Sequence, residues 1–355
     1  MNLVFDWSDF PLISSHLAGT GGRIRSEIDD FCVSENPAYQ PSGEGEFTYI
    51  RFEKRGHTTK FMLEELHRQL GVPFKDFGVA GLKDRHAVTM QWISVPQKFE
   101  ARLGQFQCAG IQILDVSRHH NKLGMGHLHG NTFKIRVRDT NTKALENAQA
   151  ILNHLVTTGI PNYFGIQRFG KTGGNATRGL ELLLDGRMKG RESIQIKRFL
   201  ISSLQSLLFN HNLRLRLERG VFEVVLLGDV VRKFETGGTF VVEDVPTDSA
   251  RAKALELSST APLYGRKIMP ARLDGLALET EVLGLFGLDW QHFHSRKGAR
   301  RSTRIKLENA NLRATEDGYW LEFTLPKGSF ATVLLREVMK NNVDVPEEES
   351  DHQSD

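Results

Sequence analysis

The sequence is short of cysteine and of long apolar runs, and each shortage excludes a class of protein. Cys32 and Cys108 are the only cysteines in 355 residues, too few for a disulfide framework or a cysteine-ligated zinc site. His127 and His129 would share a strand face, but no carboxylate or cysteine in that stretch completes a metal site. No apolar run approaches the roughly 18 residues that span a bilayer, and MNLVFDWSDF lacks the features of a signal peptide. We therefore expect a cytoplasmic protein that binds no metal and no membrane.

The net charge is small, but its distribution is uneven. The chain holds 46 Lys and Arg against 43 Asp and Glu, a formal net charge of +3. Six of the acids, and no Lys or Arg, lie from Asp344 onward, where Pro346 and Ser350 also occur. This composition predicts an acidic, disordered tail over residues 341–355. The remaining chain is clearly basic, which suits a polyanionic partner.

Apolar periodicity predicts both strands and helices. TFKIRVR from Thr132 and YWLEFTL from Tyr319 alternate as half-buried strands do. Leucines at helical spacing over Leu200–Gly220 predict a long helix. Ser329 is a candidate N-cap for a final helix that starts at Phe330.

Two segments have the composition of junctions. TGIPNYFG, ending at Gly165, is rich in turn formers, and SRKGARRSTRIK, Ser295–Lys306, has six Lys or Arg and no acid. Strand patterns lie on both outer sides of these junctions. This layout favours a segment inserted into a mixed α+β domain over two domains in tandem.

The stretch GIQRFGKT, Gly165–Thr172, satisfies the phosphate-loop pattern G-x-x-x-x-G-K-[ST]. A phosphate loop needs a strand before it and a helix that starts at the lysine. Here Pro161 and Asn162 interrupt the strand, and Gly173 and Gly174 weaken the helix. The context favours a Gly-rich, basic loop over a nucleoside triphosphate site, and we expect no nucleotide cofactor.

The stretch GLKDRHAVTMQW, Gly81–Trp92, places Asp84 in a loop between two short strand patterns. Lys83 and Arg85 flank it, and adjacent cations favour the ionised carboxylate. A persistent carboxylate can act as a nucleophile or an electrostatic stabiliser but is a poor proton donor. The pattern alone favours a charged surface turn.

Seven stretches together resemble the TruD family of tRNA pseudouridine synthases, in family order and over nearly the whole chain up to about Met339. They are IDDFCVSE (28–35), KRGHTT (54–59), AGLKDRHAVTMQ (80–91), GHLHGNTFKIRVR (126–138), PNYFGIQRFG (161–170), SSLQSLLFN (202–210) and LPKGSFATVLLRE (325–337). In this family QRFG is a signature of its own, so the phosphate-loop match does not imply a nucleotide.

The resemblance implies an α+β protein with the pseudouridine synthase fold, which has a mixed, largely antiparallel sheet and a central cleft, plus an inserted α/β TRUD domain. We expect residues 1–156 and 305–340 to form a discontinuous catalytic domain and residues 157–304 to form the inserted domain. We also expect a monomer.

The resemblance also implies a reaction, the isomerisation of uridine 13 in the D-stem of tRNA to pseudouridine, without metal or cofactor. Asp84 matches the family's nucleophile, and the target base must leave the helical stack to meet it. Phe31, Asn131 and Phe330 match family positions that hold the substrate. Taken without the resemblance, the patterns around these three residues favour core or turn roles.

Basic side chains are the candidate contacts for RNA phosphates, and each is equally a candidate for a solvated charge. They are Lys54, Arg55, Arg168, Arg300 and Arg301. Two other functions are left open by the residues: a non-catalytic RNA-binding protein or tRNA chaperone, motivated by the basic body, and a P-loop NTPase resting on GIQRFGKT.

Overall fold

A computed structural model describes residues 3–170, 172–185, 193–341 and 343. The chain divides into two compact units. We call residues Thr20–Gln149 and Leu307–Gly328 the sheet unit; Met1–Gly19, Ala150–Lys306 and Ser329–Asp355 we call the helical unit. The domain limits expected from the sequence remain a prediction, and the acidic tail falls outside the described residues except at positions 341 and 343.

Strands and helices are numbered along the chain. The strands are β1 (Gly21–Arg23), β2 (Phe31–Pro37), β3 (Phe47–Arg55), β4 (Gly78–Val79), β5 (Val88–Pro96), β6 (Ile111–His119), β7 (Leu128–Thr140), β8 (Ile160–Pro161), β9 (Val230–Lys233), β10 (Thr239–Val241), β11 (Leu257–Leu263), β12 (Ala299–Ser302), β13 (Arg304–Ile305), β14 (Glu308–Thr315) and β15 (Gly318–Pro326). The helices are α1 (Thr59–Leu70), α2 (Ala144–Thr158), α3 (Asn175–Asp185), α4 (Ile194–Glu218), α5 (Val245–Lys253), α6 (Leu273–Gly284) and α7 (Ala331–Met339).

The sheet unit is built on a nine-stranded sheet in the order β14-β15-β7-β2-β5-β3-β6, with β1 also on β7 and β4 also on β5. Strands β2 and β5 run parallel, and the other paired strands of this sheet run antiparallel. The expected mixed, largely antiparallel α+β fold is therefore confirmed. Strand β7 buries Phe133, Ile135 and Val137 on one face, as its alternation predicts.

Helix α1 covers part of this sheet and has clear sequence signals at both ends. The Thr58 side chain accepts a hydrogen bond from the Phe61 amide, and Gly71 ends the helix at φ 71°. Its buried face, which includes Met62 and Leu66, joins the core cluster that also holds Ile50 and Ile93. This packing fixes the start of α1, where Thr59 lies, against the sheet.

The helical unit contains the long helix α4, as the leucine spacing predicts, with Leu200, Leu204 and Leu207 buried. Helix α3 packs on α4, and the small sheets β10-β9-β11-β12 and β13-β8 complete this unit. The predicted start of the last helix is wrong by one residue. Helix α7 begins at Ala331, and Phe330 occupies the N-cap position in an extended conformation with no side-chain cap bond.

No helix in the described part of the chain is long and apolar enough to cross a membrane.

Candidate active site

Asp84 lies in the loop that joins β4 to β5 in the sheet unit, with its side chain 55% exposed. The loop is held by its backbone. Lys54, on β3, is fully buried, and its ammonium donates to the carbonyl oxygens of Asp84 (2.8 Å), His57 (2.5 Å) and Lys83 (3.4 Å). Burial lowers the pKa of Lys54 to about 8, and the charge of Asp84 opposes this shift. The loop therefore presents a carboxylate to solvent from a fixed backbone.

Arg25 is the partner of Asp84 that sequence reasoning missed. Its Nη2 lies 3.4 Å from Asp84 Oδ2, and its side chain is only 6% exposed. The guanidinium carbon lies 4.2 Å from the centroid of the Phe31 ring, within the range of a cation–π contact. Burial lowers the pKa of Arg25, and the charge of Asp84 opposes that shift. The backbone at Arg25 has a positive φ of 59°, a feature that the structure shows and the sequence does not.

Phe31 is 2% exposed, and its ring packs edge-on against Phe133 with centroids 6.4 Å apart. Arg25 covers its ring. The structure thus brings Phe31 near Asp84 through Arg25.

Lys83 connects the loop to two neighbouring strands. Its ammonium lies 2.6 Å from Asn131 Oδ1, on β7, and 3.2 Å from Glu35 Oε2, on β2. Burial raises the pKa of Glu35, and Lys83 opposes that shift. Because Asn131 accepts through its oxygen, its amide nitrogen is the group that can donate to a substrate carbonyl.

Thr59 fixes the other side of the loop, and sequence reasoning did not single it out. Its hydroxyl donates to Gln91 Oε1 (2.8 Å) and accepts from the Lys83 backbone amide (2.9 Å).

Burial, with the positive charges of Arg25 and Arg85, lowers the pKa of His86. At neutral pH this favours the uncharged imidazole two residues after Asp84.

Phe330 lies in the helical unit, beside the QRFG loop. Its ring centroid is 6.0 Å from that of Phe164. A side chain at Gly165 would lie 3.3 Å from Thr332 Oγ1 and 3.6 Å from the Phe330 ring. Gly165 therefore allows the loop to approach the start of α7 closely.

The GIQRFGKT stretch does not have the local structure of a phosphate loop. Residues Ile166–Arg168 form a 3₁₀ turn, and the next helix begins only at Asn175. The strand before it, β8, has two residues. Lys171, on which nucleotide binding would depend, falls outside the described residues.

Lys54 and Arg300 are buried and already bonded, so a phosphate contact at either would require those bonds to break. Lys54 donates to three carbonyl oxygens, as described above. The side chain of Arg300 is 4% exposed and forms an ion pair with Glu279, which is also buried. A phosphate contact at Lys54 or Arg300 stays a prediction.

The other three basic candidates also have partners in the protein. Arg55 is 47% exposed and lies 2.6 Å from Asp29 and 3.3 Å from Glu53. Arg168 donates to the hydroxyls of Ser202 (2.5 Å) and Ser206 (3.2 Å).

Arg301 lies over the Phe164 ring and donates to Asn162. Burial, with the charge of Arg168, lowers the pKa of Arg301 to about 9. A phosphate contact at any of Arg55, Arg168 and Arg301 stays a prediction.

No group of three or more His, Cys, Asp or Glu among the described residues is placed to hold a metal ion.

The fold and sequence match known proteins over nearly the whole chain. The family model of tRNA pseudouridine synthase D (TruD) matches residues 10–190 and 192–338. A tRNA pseudouridine synthase D of Thermus thermophilus is 48% identical over 96% of this chain and 95% of its own, and one of an Anaeromyxobacter species is 42% identical over 97% and 100%. A crystal structure from Methanosarcina mazei with the same family designation superposes with a TM-score of 0.76 at 26% identity, covering 94% of this chain and 97% of that one.

The architecture is therefore that of the pseudouridine synthase class. The chain belongs to the TruD family.

Proposed function

We propose that this protein is a tRNA pseudouridine(13) synthase, which isomerises uridine 13 in the D-stem of tRNA to pseudouridine. It acts in the cytoplasm, as a monomer, on tRNA, and uses no nucleotide cofactor. Family membership supports the reaction class. The observation that carries the proposal is the half-exposed Asp84 carboxylate, held on a clamped loop 3.4 Å from the Arg25 guanidinium.

Asp84 attacks or assists at C1′ of the extruded uridine. The N1–C1′ bond breaks, the uracil turns, and a C5–C1′ bond forms. The proton on C5 is lost and N1 gains one, so the reaction is an isomerisation that needs no oxidant or reductant. The Arg25 guanidinium, 3.4 Å from Asp84 Oδ2, holds the carboxylate in position for this step.

Three residues are proposed to hold the base. The Asn131 amide nitrogen donates to a uracil carbonyl, since its oxygen accepts from Lys83. Phe31 contacts the base only if Arg25 leaves its ring when the nucleotide enters, because Arg25 covers it. Phe330 supplies an aromatic face, and base stacking on such a face is worth about 1–3 kcal/mol.

The first test is Asp84→Asn, which keeps the shape of the side chain and removes its charge. We expect tRNA binding close to that of the wild type and no pseudouridine, scored by carbodiimide mapping of tRNA transcripts. Asp115→Asn, at an exposed position on β6, is the matched control and should leave the rate unchanged. Isomerisation by Asp84→Asn at the wild-type rate would refute the role of Asp84.

The same assay separates the enzyme from a non-catalytic RNA-binding protein or tRNA chaperone. If the wild-type protein isomerises no uridine in a full set of cellular tRNAs but binds them, the catalytic function is wrong.

A further inference from the structure

Two large apolar side chains of the sheet unit are exposed to solvent, and one of them lies two residues before Asp84. Leu82 is 70% exposed and Met125 is 67% exposed. Among the described residues of the sheet unit, these are the most exposed large hydrophobic side chains. Single exposed leucines are common on protein surfaces. Here, however, Leu82 lies on the Asp84 loop and Met125 on the loop bonded to it, so one common role can explain the exposure of both.

The backbone around both residues is held in place. The Gly126 amide donates to the Ala80 carbonyl (2.8 Å), which joins the loop of Met125 to the loop of Leu82. On the other side of Leu82, the Lys83 amide donates to Thr59 Oγ1. Lys327 donates from its ammonium to the Gly126 carbonyl (3.0 Å). These hydrogen bonds therefore hold the backbone that carries both exposed apolar side chains.

Extrusion of a base from a stem leaves a gap in the stack. Proteins that unstack nucleic acids frequently insert apolar side chains between base steps. Leu82 and Asp84 are two residues apart, at most about 7 Å of extended chain. When the ribose of a nucleotide contacts Asp84, the stacking position that its base has left is therefore within reach of Leu82.

We infer that Leu82, flanked by Met125, is the wedge that enters the RNA stem and occupies the space of the extruded uridine. This inference rests on the proposed function. It assigns Leu82 to the opening of the stem and not to the chemical step. Removal of its side chain should therefore matter only when the target base is stacked.

The experiment compares two tRNA transcripts. One is fully folded, and the other carries an abasic residue opposite the target uridine, which already weakens its pairing. For Leu82→Ala we expect kcat/KM to fall about tenfold on the first tRNA and to stay near wild type on the second. Leu82→Met, which keeps an apolar side chain of similar reach, should restore most of the rate on the folded tRNA.

Leu114→Ala is the matched control, because Leu114 is also an exposed leucine (41%) of the sheet unit but lies on β6. It should isomerise both tRNAs at the wild-type rate. A 2-aminopurine next to the target uridine should brighten with the wild type and not with Leu82→Ala.

Equal rates of Leu82→Ala and the wild type on the folded tRNA would overturn the wedge, and so would an equal loss on both tRNAs. These results differ from failure of the proposed function, in which the wild type itself forms no pseudouridine on either tRNA; that outcome overturns both.

Discussion

At the scale of single residues, Lys54 holds a charge where burial opposes it. An ammonium has three N–H donors, and Lys54 uses them on three carbonyl oxygens around Asp84. Loss of the proton removes one donor and the charge. Because burial lowers the pKa of Lys54 to about 8, this loss falls within an accessible pH range.

The pH dependence of the rate follows from these three hydrogen bonds of Lys54. We expect the rate of isomerisation to fall as pH rises through about 8, because the loop that carries Asp84 loses its fixed backbone. The stability contribution has the opposite sign. The pKa of Lys54 in the folded chain lies below its ordinary value of 10.5, so the unfolded chain binds more protons between about 8 and 10.5. The free energy of unfolding therefore rises with pH across that window, as the cost of burying the charge is relieved.

The measurement is a pH–rate profile of single-turnover isomerisation from pH 6.5 to 9.5, with the unfolding midpoint recorded at each pH. Lys54→Met should be slow at every pH and should lack the step near pH 8. A wild-type rate that stays level up to pH 9.5 would show that Lys54 does not position the loop.

At the scale of elements, the sequence predicts the strands, helices and loops that depend on residues close together in the chain. Strand β7 and helix α4 follow directly from apolar periods of 2 and 3.6 residues, and the loop of Asp84 follows from the two strand patterns around it. The start of α7 was missed by one residue because its N-cap, Phe330, makes no side-chain cap bond.

The site itself depends on partners that are distant in sequence. Arg25 and Asp84 are 59 positions apart, and Lys83 and Asn131 are 48 apart. No local pattern in the sequence encodes such pairs. The resemblance to TruD supplied Asp84 and the substrate positions, but the pairing of Arg25 and the clamp by Lys54 required the fold. The burial of Lys54, on which its phosphate contact depends, is likewise not revealed by a basic motif alone.

The packing of α3 on α4 gives a prediction at this scale. A methyl group added at Gly179 would overlap the carbonyl group of Leu200, whereas one added at Gly284, at the end of α6, meets nothing within 4 Å. We expect Gly179→Ala to lower the free energy of unfolding by about 1–3 kcal/mol. Gly284→Ala should leave it unchanged or raise it by up to about 1 kcal/mol.

Urea unfolding of the two variants beside the wild type measures both effects. Equal stability of Gly179→Ala and Gly284→Ala would mean that α3 and α4 do not pack as closely as described.

At the scale of the whole molecule, charge is distributed unevenly along the chain. Six of the 43 acids lie from Asp344 onward, and the 46 basic residues all lie before them. Removal of residues 344–355 should therefore raise tRNA affinity severalfold at low salt, because fewer negative charges repel the phosphates. At high salt the difference should disappear through screening.

Binding of labelled tRNA across a salt series tests this expectation. A chain with the six acids changed to Asn or Gln separates charge from length. The same affinity in all three proteins at low salt would show that the tail has no electrostatic effect on the complex.

Strands that pair in the folded protein are synthesised far apart in time, which places a constraint on folding. Strand β15 pairs with β7 along its length, with Tyr319 opposite Val137. The Ser14 amide donates to Glu337, 323 positions later. At about 5–20 residues per second, the ribosome needs roughly 10–40 s between Val137 and Tyr319. During that interval the nascent β7 has an edge that β15 does not yet cover, and this edge can pair with another chain until β15 emerges.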